Sequence, residues 1–149
     1  MSVKPVPDGY PTVIPYLIVK DGRKAIDFYK RALGAVELMK FEGPDGKIGH
    51  AEIKIGDTPV MLADEYPDMG FRSPNQGERP GVNLHIYTAD GDRMFQQAIS
   101  AGAEVIREME NKFYGDRSGT VKDPFGHIWT VSTHIEDVSM DEISKRMEE

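Results

Sequence analysis

The residues with the greatest capacity for chemistry lie together near the C-terminus, in the stretch FYGDRSGTVKDPFGHIWTVSTH from Phe113 to His134. This stretch contains two of the four histidines of the chain and its single tryptophan. A tyrosine, an aspartate and an arginine precede them in a glycine-rich run. Residues of these types could form a metal site, a catalytic loop, or a hairpin in which their roles are structural.

The segment DPFG favours the structural interpretation for the middle of this stretch. It has an aspartate, a proline and a glycine at the first, second and fourth positions, which is the composition of a type I turn. We therefore predict that Asp123 forms a turn and is not a catalyst. On the strand that follows, His127 and Trp129 are predicted to face a helix or a partner subunit, and His134 is predicted to lie at the rim of the sheet.

The segment FYGDRSG favours a functional interpretation, because loops carry binding residues more often than strands do. We predict a loop here that could close over a ligand. Arg117 could hold a carboxylate or a phosphate through two parallel hydrogen bonds, and Tyr114 could donate to a ligand oxygen. The alternative is that Asp116 and Arg117 pair with each other and that Tyr114 fills the core.

The composition excludes several classes of function. The chain has 149 residues, the length of one ordinary domain, and no cysteine, which excludes disulfides, thiolate metal sites and cysteine nucleophiles. Its formal net charge is −7, with acids and bases interspersed, which argues against a nucleic-acid surface. No apolar run approaches the roughly 20 residues of a membrane span, and the start MSVKPVPDGYP lacks the apolar core of a signal peptide. We therefore expect a cytoplasmic protein with no nucleic-acid or membrane partner.

The chain contains an internal repeat. AIDFYKRALGAVELM and DRMFQQAISAGAEVIREM each predict an amphipathic helix, a terminal glycine and a short strand, and Gly102 follows Gly34 by 68 residues. Asp21 and Asp90 are predicted to cap the two helices. One strand candidate precedes each helix and three follow it, so each half is predicted to have the order βαβββ.

The predicted fold class is α+β, with two βαβββ modules in a single domain. The predicted segments are the modules 12–63 and 82–133, a linker over 64–81, and a C-terminal segment over 134–149 with a helix capped by Ser139. One helix covers only one face of a four-stranded sheet, so the other face must find a partner or enclose something. We expect the two sheets to form a cup-shaped open barrel and the chain to form a homodimer.

The sequence resembles a known family. The duplicated pattern, the helix DGRKAIDFYKRALG and above all FYGDR followed by DPFGHIWTVSTH are similar to the vicinal oxygen chelate superfamily, which contains glyoxalases, bleomycin-resistance proteins and extradiol dioxygenases. The resemblance is closest to the PhnB-like branch and covers nearly the whole chain. It implies the glyoxalase/bleomycin-resistance/dioxygenase fold, with two βαβββ modules around a cup, usually in a homodimer. It does not identify the chemistry, because one fold hosts many functions.

The alternation of side chains along strands predicts which residues line the cup. In GHAEIKI the apolar residues suit packing on a helix, so His50 and Glu52 point the other way. The same argument places Asn83 and His85 of VNLHIY opposite the helix. With the loop and the neighbouring strands included, the predicted ligand-binding residues are Tyr16, His50, Glu52, Asn83, His85, Tyr114, Arg117 and Thr130.

Metal-dependent members of the superfamily place His, Glu or Gln at equivalent positions in the first and last strands of each half. Aligning the helices and DPFG puts these positions at Ile14, Leu62, Asn83 and Thr130. Two of these side chains cannot bind a cation, and the other two offer only neutral oxygens, which are poor ligands for a divalent transition metal. We therefore predict that the usual metal site is lost and that no cofactor is needed. A displaced site that uses His50, Glu52 and His85 stays open as an alternative.

Three classes of function are consistent with these observations. The favoured class is a glyoxalase-like or bleomycin-resistance-like protein that binds a small molecule in the cup without the usual metal. The first alternative is a metal-dependent lyase, isomerase or dioxygenase that uses the displaced site. The second alternative is a non-catalytic structural or regulatory dimer. The sequence identifies neither the ligand nor any catalytic residue.

Overall fold

The computed structural model describes residues 2–149, which form two compact units. The first unit ends at Gln76 and the second begins at Gly77. Each unit contains one module together with its flanking segments. Within the described residues, no helix is both long enough and apolar enough to cross a membrane.

The first unit contains a four-stranded sheet and one α-helix. In chain order its elements are β1 (Tyr16–Val19), α1 (Gly22–Leu33), β2 (Val36–Glu42), β3 (Ile48–Ile55) and β4 (Thr58–Asp64). The strands lie in the order β1-β4-β3-β2, with β1 parallel to β4 and the other neighbours antiparallel. A single turn of 3-10 helix, Pro67–Met69, follows the sheet.

The second unit repeats this arrangement and adds a helix. Its elements are β5 (Asn83–Tyr87), α2 (Gly91–Ala101), β6 (Glu104–Asn111), β7 (Asp116–Lys122), β8 (Ile128–His134) and α3 (Met140–Met147). The strand order is β5-β8-β7-β6, with β5 parallel to β8. Both units therefore have the βαβββ order, and the predicted α+β class is confirmed. The arrangement of the two sheets around a common cup stays a prediction.

The helix of each module covers one face of its own sheet. In the first module Phe28 and Tyr29 of α1 are buried, as is Ile53 of β3. In the second module Phe95 of α2 and Val131 of β8 are buried. Each module thus has its own apolar core, and its second sheet face is left to other side chains.

The residues predicted to begin and end the first two helices do so. The carboxylates of Asp21 and Asp90 accept hydrogen bonds from the amides of Lys24 and Arg93, each at 3.1 Å, which satisfies an amide of the first turn. At the other ends, two glycines in the left-handed region terminate the helices, Gly34 with φ 68° and Gly102 with φ 120°. Helix boundaries could therefore be predicted from single residues.

In both modules a hydrogen bond also connects the start of the helix to the last strand of the module. The Gly22 amide donates to Asp64 Oδ1 at 3.1 Å, and the Gly91 amide donates to Thr133 Oγ1 at 2.8 Å. The other oxygen of Asp64 accepts the Ile48 amide at 2.7 Å. The close approach of the helix start to the sheet explains why Gly22 has no side chain, because a Cβ there would lie 2.6 Å from Ile48 Cγ1.

Two element boundaries differ from those expected from the sequence. β4 continues to Asp64, the first residue of the expected linker, because Asp64 pairs with Val19 of β1. The expected FYGDRSG loop is wrong in its second half, since β7 begins at Asp116 and pairs with β8 from Asp116 opposite His134 onward. Pairing with a neighbouring strand overrides a glycine- and serine-rich composition that is typical of a loop.

We predict that Gly22→Ala destabilises the protein by about 1–3 kcal/mol, because a methyl group there overlaps Ile48 and displaces the contact with Asp64. Gly49→Ala is the matched control, since its Cβ would approach nothing closer than Phe41 O at 3.8 Å. Chemical denaturation of both variants measures the difference. Equal free energies of unfolding for the two variants would contradict the role given to Gly22.

Candidate functional site

The face of each sheet that its helix leaves uncovered carries the polar residues predicted from strand alternation. In β3, Ala51 and Ile53 are fully buried on the helix side, and His50 and Glu52 point the other way. In β5, exposed and half-buried residues alternate in the same manner, with His85 on the exposed side. The predicted facing of these side chains is therefore present within each module.

In the first module three of the predicted residues form one hydrogen-bonded chain. The Tyr16 hydroxyl lies 2.9 Å from His50 Nδ1, and His50 Nε2 lies 2.8 Å from Glu52 Oε2. The other carboxylate oxygen of Glu52 accepts a hydrogen bond from the Tyr10 hydroxyl. Glu52 is only 7% exposed, whereas Tyr16 is 45% exposed, so the chain runs from a buried carboxylate to an accessible phenol.

These contacts determine the charge states of the hydrogen-bonded carboxylate and phenols. Hydrogen bonds from Tyr10 and then from His50 hold the pKa of Glu52 below its usual value, although burial opposes this. The hydrogen bond to Glu52 raises the pKa of Tyr10. Burial, and then the charge of Glu52, raise the pKa of Tyr16. At neutral pH the site therefore contains one carboxylate and two neutral phenols.

In the second module four predicted residues lie on the wall of a cavity of about 770 Å³. These residues are Asn83, His85, Tyr114 and Thr130. Side chains of the three strands β5, β7 and β8 form hydrogen bonds with one another here. Thr120 Oγ1 lies 2.8 Å from Thr130 Oγ1, and His85 Nε2 lies 2.7 Å from the hydroxyl of the fully buried Ser132.

The same cavity is lined by cationic side chains that the sequence did not single out. They are Arg79, Arg107 and Lys112, and one carboxylate, that of Glu110, lies among them. Lys112 donates to Glu110, and this hydrogen bond with the lysine's charge holds the pKa of Glu110 below its usual value. Among the described residues, no carboxylate lies within 4.0 Å of the guanidinium of Arg79 or Arg107.

Two shifts in the pairing of β6 with β7 explain why Arg107 was missed. The register changes between Val105 and Arg107 and again between Arg107 and Glu110. Each irregularity breaks the strict alternation on which the facing of side chains was predicted. Arg79 and Lys112 lie outside the strands, where alternation predicts no facing.

Arg117 lies outside the set that lines the cavity. Its Nε donates to Asp92 Oδ2 at 2.9 Å and its Nη2 donates to Asp92 Oδ1 at 3.0 Å, so the guanidinium holds the first turn of α2 to β7. The alternative pairing of Arg117 with Asp116 is also absent, because adjacent strand residues point to opposite faces. Tyr114, 39% exposed, does not fill the core and is a cavity residue.

Asp116, which is buried, links three elements that the sequence did not connect. The Tyr87 hydroxyl donates to Asp116 Oδ2 at 2.6 Å, and His134 Nδ1 lies 2.8 Å from Asp116 Oδ1. His134 Nε2 lies 2.7 Å from Asp137 Oδ1. Burial opposes ionisation of Asp116, but the hydrogen bonds from Tyr87 and His134 outweigh it and lower the pKa.

The interpretation of DPFG as a turn is confirmed. Asp123 Oδ1 accepts the amides of Phe125 at 2.9 Å and His127 at 3.0 Å, and its Oδ2 accepts Trp129 Nε1 at 2.9 Å. Trp129 is 3% exposed and belongs to the core, as expected. The polar residues in the middle of FYGDRSGTVKDPFGHIWTVSTH thus have structural roles.

The strand registers correct one of the four positions compared with metal-dependent relatives. Tyr16 pairs with Met61, and its counterpart His85 pairs with Thr130, so the position matching Thr130 is Met61 and not Leu62. Leu62 is fully buried on the helix side. A thioether in place of leucine does not restore a site for a divalent cation that prefers imidazole or carboxylate. The donor set therefore does not fit the metal that the family implies.

The displaced metal site has no support in the geometry. Among residues 2–149, no group of three or more His, Asp or Glu side chains is arranged to hold a metal ion. His50 and Glu52 are hydrogen bonded to each other, and His85 is hydrogen bonded to Ser132. Both ring nitrogens of His50 and both carboxylate oxygens of Glu52 therefore already have hydrogen-bond partners.

We predict that the ion pairs of His134 stabilise the protein in acid more than in base. Hydrogen bonds to Asp116 and then to Asp137 raise the pKa of His134 in the folded state. The contribution should be fully present below the unfolded-state value of about 6.5 and be lost as pH rises through the higher folded-state pKa. Denaturant unfolding of wild type and His134→Gln across this range measures it. A difference between them that stays constant or grows with pH would contradict this assignment.

Comparison with known proteins places this geometry in a family. Residues 11–131 match the Glyoxalase/Bleomycin resistance protein/Dioxygenase superfamily. The Mycobacterium bovis protein Mb0911c is 44% identical over 140 residues, which cover 92% of this chain and 92% of that protein. The Escherichia coli protein YjdN is 24% identical over 131 residues, covering 72% of this chain and 84% of YjdN.

Solved structures show the same fold. PA1353 from Pseudomonas aeruginosa is 25% identical, with a TM-score of 0.68 over 85% of this chain and 99% of that chain. TioX from Micromonospora sp. ML1 is 24% identical, with a TM-score of 0.64 over 84% of this chain and 99% of that chain. With a family match over most of its length and two βαβββ modules, the chain belongs to the Glyoxalase/Bleomycin resistance protein/Dioxygenase superfamily.

Proposed function

We propose that the protein binds a small organic anion, bearing a phosphate, phosphonate or carboxylate group, in the cavity of its second module. The observation that carries the proposal is the positive wall of that cavity. Three cationic side chains and one carboxylate line it, in a chain whose formal net charge is −7. A local excess of positive charge in an acidic protein attracts anions to that place.

The two arginines supply the recognition of the anionic group. Lys112 is already paired with Glu110, but no described carboxylate pairs with Arg79 or Arg107. A guanidinium has a planar array of donors that matches two oxygens of a phosphate or a carboxylate. Arg79 and Arg107 therefore have donors available for a ligand.

The remaining wall suits the uncharged part of the ligand. Asn83, His85 and Thr130 add hydrogen-bond donors and acceptors to the wall. Phe113 and Tyr114, whose ring centroids are 5.2 Å apart, add apolar surface to it. A cavity that combines a few polar groups with aromatic side chains is typical of a small-molecule site.

Binding without the usual metal is part of this proposal, because the donors at the family's metal positions do not suit one. Protein purified without chelators or an affinity tag should contain no stoichiometric divalent metal by elemental analysis. Stoichiometric metal that survives His85→Ala and disappears in Asn83→Ala would restore the ordinary family site. Placement in the PhnB-like branch, a homodimer and a cytoplasmic location are further proposals that rest on the sequence resemblance and composition.

We predict that Arg107→Met weakens the binding of methylphosphonate at least about tenfold, as expected for loss of one charge-assisted contact. Arg93→Met is the matched control, because Arg93 is an exposed arginine of α2 outside the cavity. Isothermal titration at low and moderate salt measures both affinities, with inorganic phosphate and acetate as comparison anions. Equal losses in the two variants, or no binding of any of the three anions to wild type, would contradict the proposal.

A further inference from the structure

A different set of chemically active side chains lies in the first module and does not depend on the proposed anion cavity. An accessible phenol, an imidazole and a buried carboxylate follow one another in hydrogen-bond contact, as Tyr16, His50 and Glu52. We propose that these three residues form a proton relay that accepts the proton of a phenol-like hydroxyl on a small planar ligand bound beside Tyr16.

The partners of Glu52 fix the direction of the relay. A carboxylate can only accept hydrogen bonds, and its Oε1 already accepts from Tyr10. The contact between Glu52 Oε2 and His50 Nε2 therefore places the imidazole proton on Nε2. His50 Nδ1 then carries the lone pair and accepts the hydroxyl proton of Tyr16. The lone pairs of the Tyr16 oxygen remain available to a ligand.

The proton transfer balances without any further reactant. The ligand hydroxyl gives its proton to Tyr16 Oη as the proton of Tyr16 passes to His50 Nδ1. The ligand becomes a phenolate, Tyr16 remains a neutral phenol, and His50 becomes an imidazolium whose Nε2 proton stays hydrogen bonded to Glu52. In this scheme Tyr16 is the catalytic residue, because it touches the ligand; His50 accepts the proton of Tyr16, and Glu52 positions His50.

The cavity beside Tyr16 indicates the class of ligand. It has a volume of about 300 Å³, and its wall includes Ile18, Ala63, Tyr66, Met69 and Phe71. The one carboxylate on this wall, that of Asp64, is not available, because both of its oxygens accept backbone amides. Aromatic rings and a methionine sulfur favour a flat aromatic molecule that enters as the neutral phenol. No lysine or arginine lines the described wall, so the imidazolium of His50 is the positive charge that would stabilise the phenolate after transfer.

A purely structural network would make the same contacts, because Tyr10 and Glu52 also attach the segment before β1 to the sheet. His50→Gln separates the two roles. Glutamine can still donate and accept hydrogen bonds, but it cannot hold the transferred proton. The relay therefore predicts that His50→Gln keeps ligand binding and loses ligand ionisation.

The experiment uses the full chain and 4-nitrophenol, whose phenolate absorbs visible light. Equilibrium dialysis gives the bound fraction, and absorbance gives the ratio of ionised to neutral probe. In wild type we expect this ratio to be about tenfold higher for bound than for free probe, which is a shift of about one pKa unit. His50→Gln should bind the probe with the ratio of the free compound, and Tyr16→Phe should lose the shift. Tyr87→Phe, which removes an exposed phenol from the second module, should behave as wild type.

Several results would overturn the relay. The relay is wrong if wild type leaves the ratio of ionised to neutral probe unchanged on binding, or if wild type does not bind the probe. A shift that persists in His50→Gln or in Tyr16→Phe would show that these residues do not accept the proton. A shift that disappears in Arg107→Met and persists in Tyr16→Phe would place the probe in the second-module cavity, which leaves the proposed anion site intact and removes this one.

Discussion

Each module places one helix against one face of a four-stranded sheet, and this constraint decides where chemistry can occur. Because side chains alternate along a strand, half of the residues of each sheet must be apolar to pack on the helix. The hydrogen bonds from Gly22 to Asp64 and from Gly91 to Thr133 fix the helix on that side. The other half of the residues lies on the opposite face and does not pack against the helix. Tyr16, His50 and Glu52 in the first module lie at such positions, as do Asn83, His85 and Thr130 in the second.

The two modules share a backbone plan but have different chemistry on it. Tyr16 beside Met61 in the first module corresponds to His85 beside Thr130 in the second. The first module joins its polar groups into one chain that ends at an accessible phenol. The second distributes neutral groups and cations around a larger cavity. The two modules thus have similar backbones, with a hydrogen-bonded series of side chains in the first and cationic side chains in a cavity wall in the second.

The parts of the structure that depend on local rules could be predicted from the sequence. The caps at Asp21 and Asp90, the terminal glycines and the turn at Asp123 each follow from one residue type and its position. The facing of His50 and Glu52 follows from alternation. Family membership followed from the repeated pattern and DPFGHIWTVSTH. These features are determined over a few neighbouring residues.

The features that depend on contacts between distant residues could not be predicted. Arg117 pairs with Asp92, which is 25 residues away, and no residue near Arg117 in the sequence indicates this partner. Asp116 likewise joins Tyr87 to His134, which are distant from each other in the sequence. The irregular pairing of β6 hid the facing of Arg107. An alignment error of one residue is enough to assign Leu62 in place of Met61 as the position that matches Thr130. Such an error moves every side chain of the strand to the other face of the sheet.

The two proposed sites lie in separate modules, and the second module is the one proposed to bind the anion. Nuclear magnetic resonance spectra of isotope-labelled wild type, recorded during titration with methylphosphonate, test this most directly. If the second module binds the anion, we expect saturable shifts of the His85, Thr120 and Thr130 amides and of the Arg107 side chain, with the signals of Tyr16 and His50 unchanged. Shifts that centre on Tyr16 and His50, or no saturable shift in either module, would contradict it.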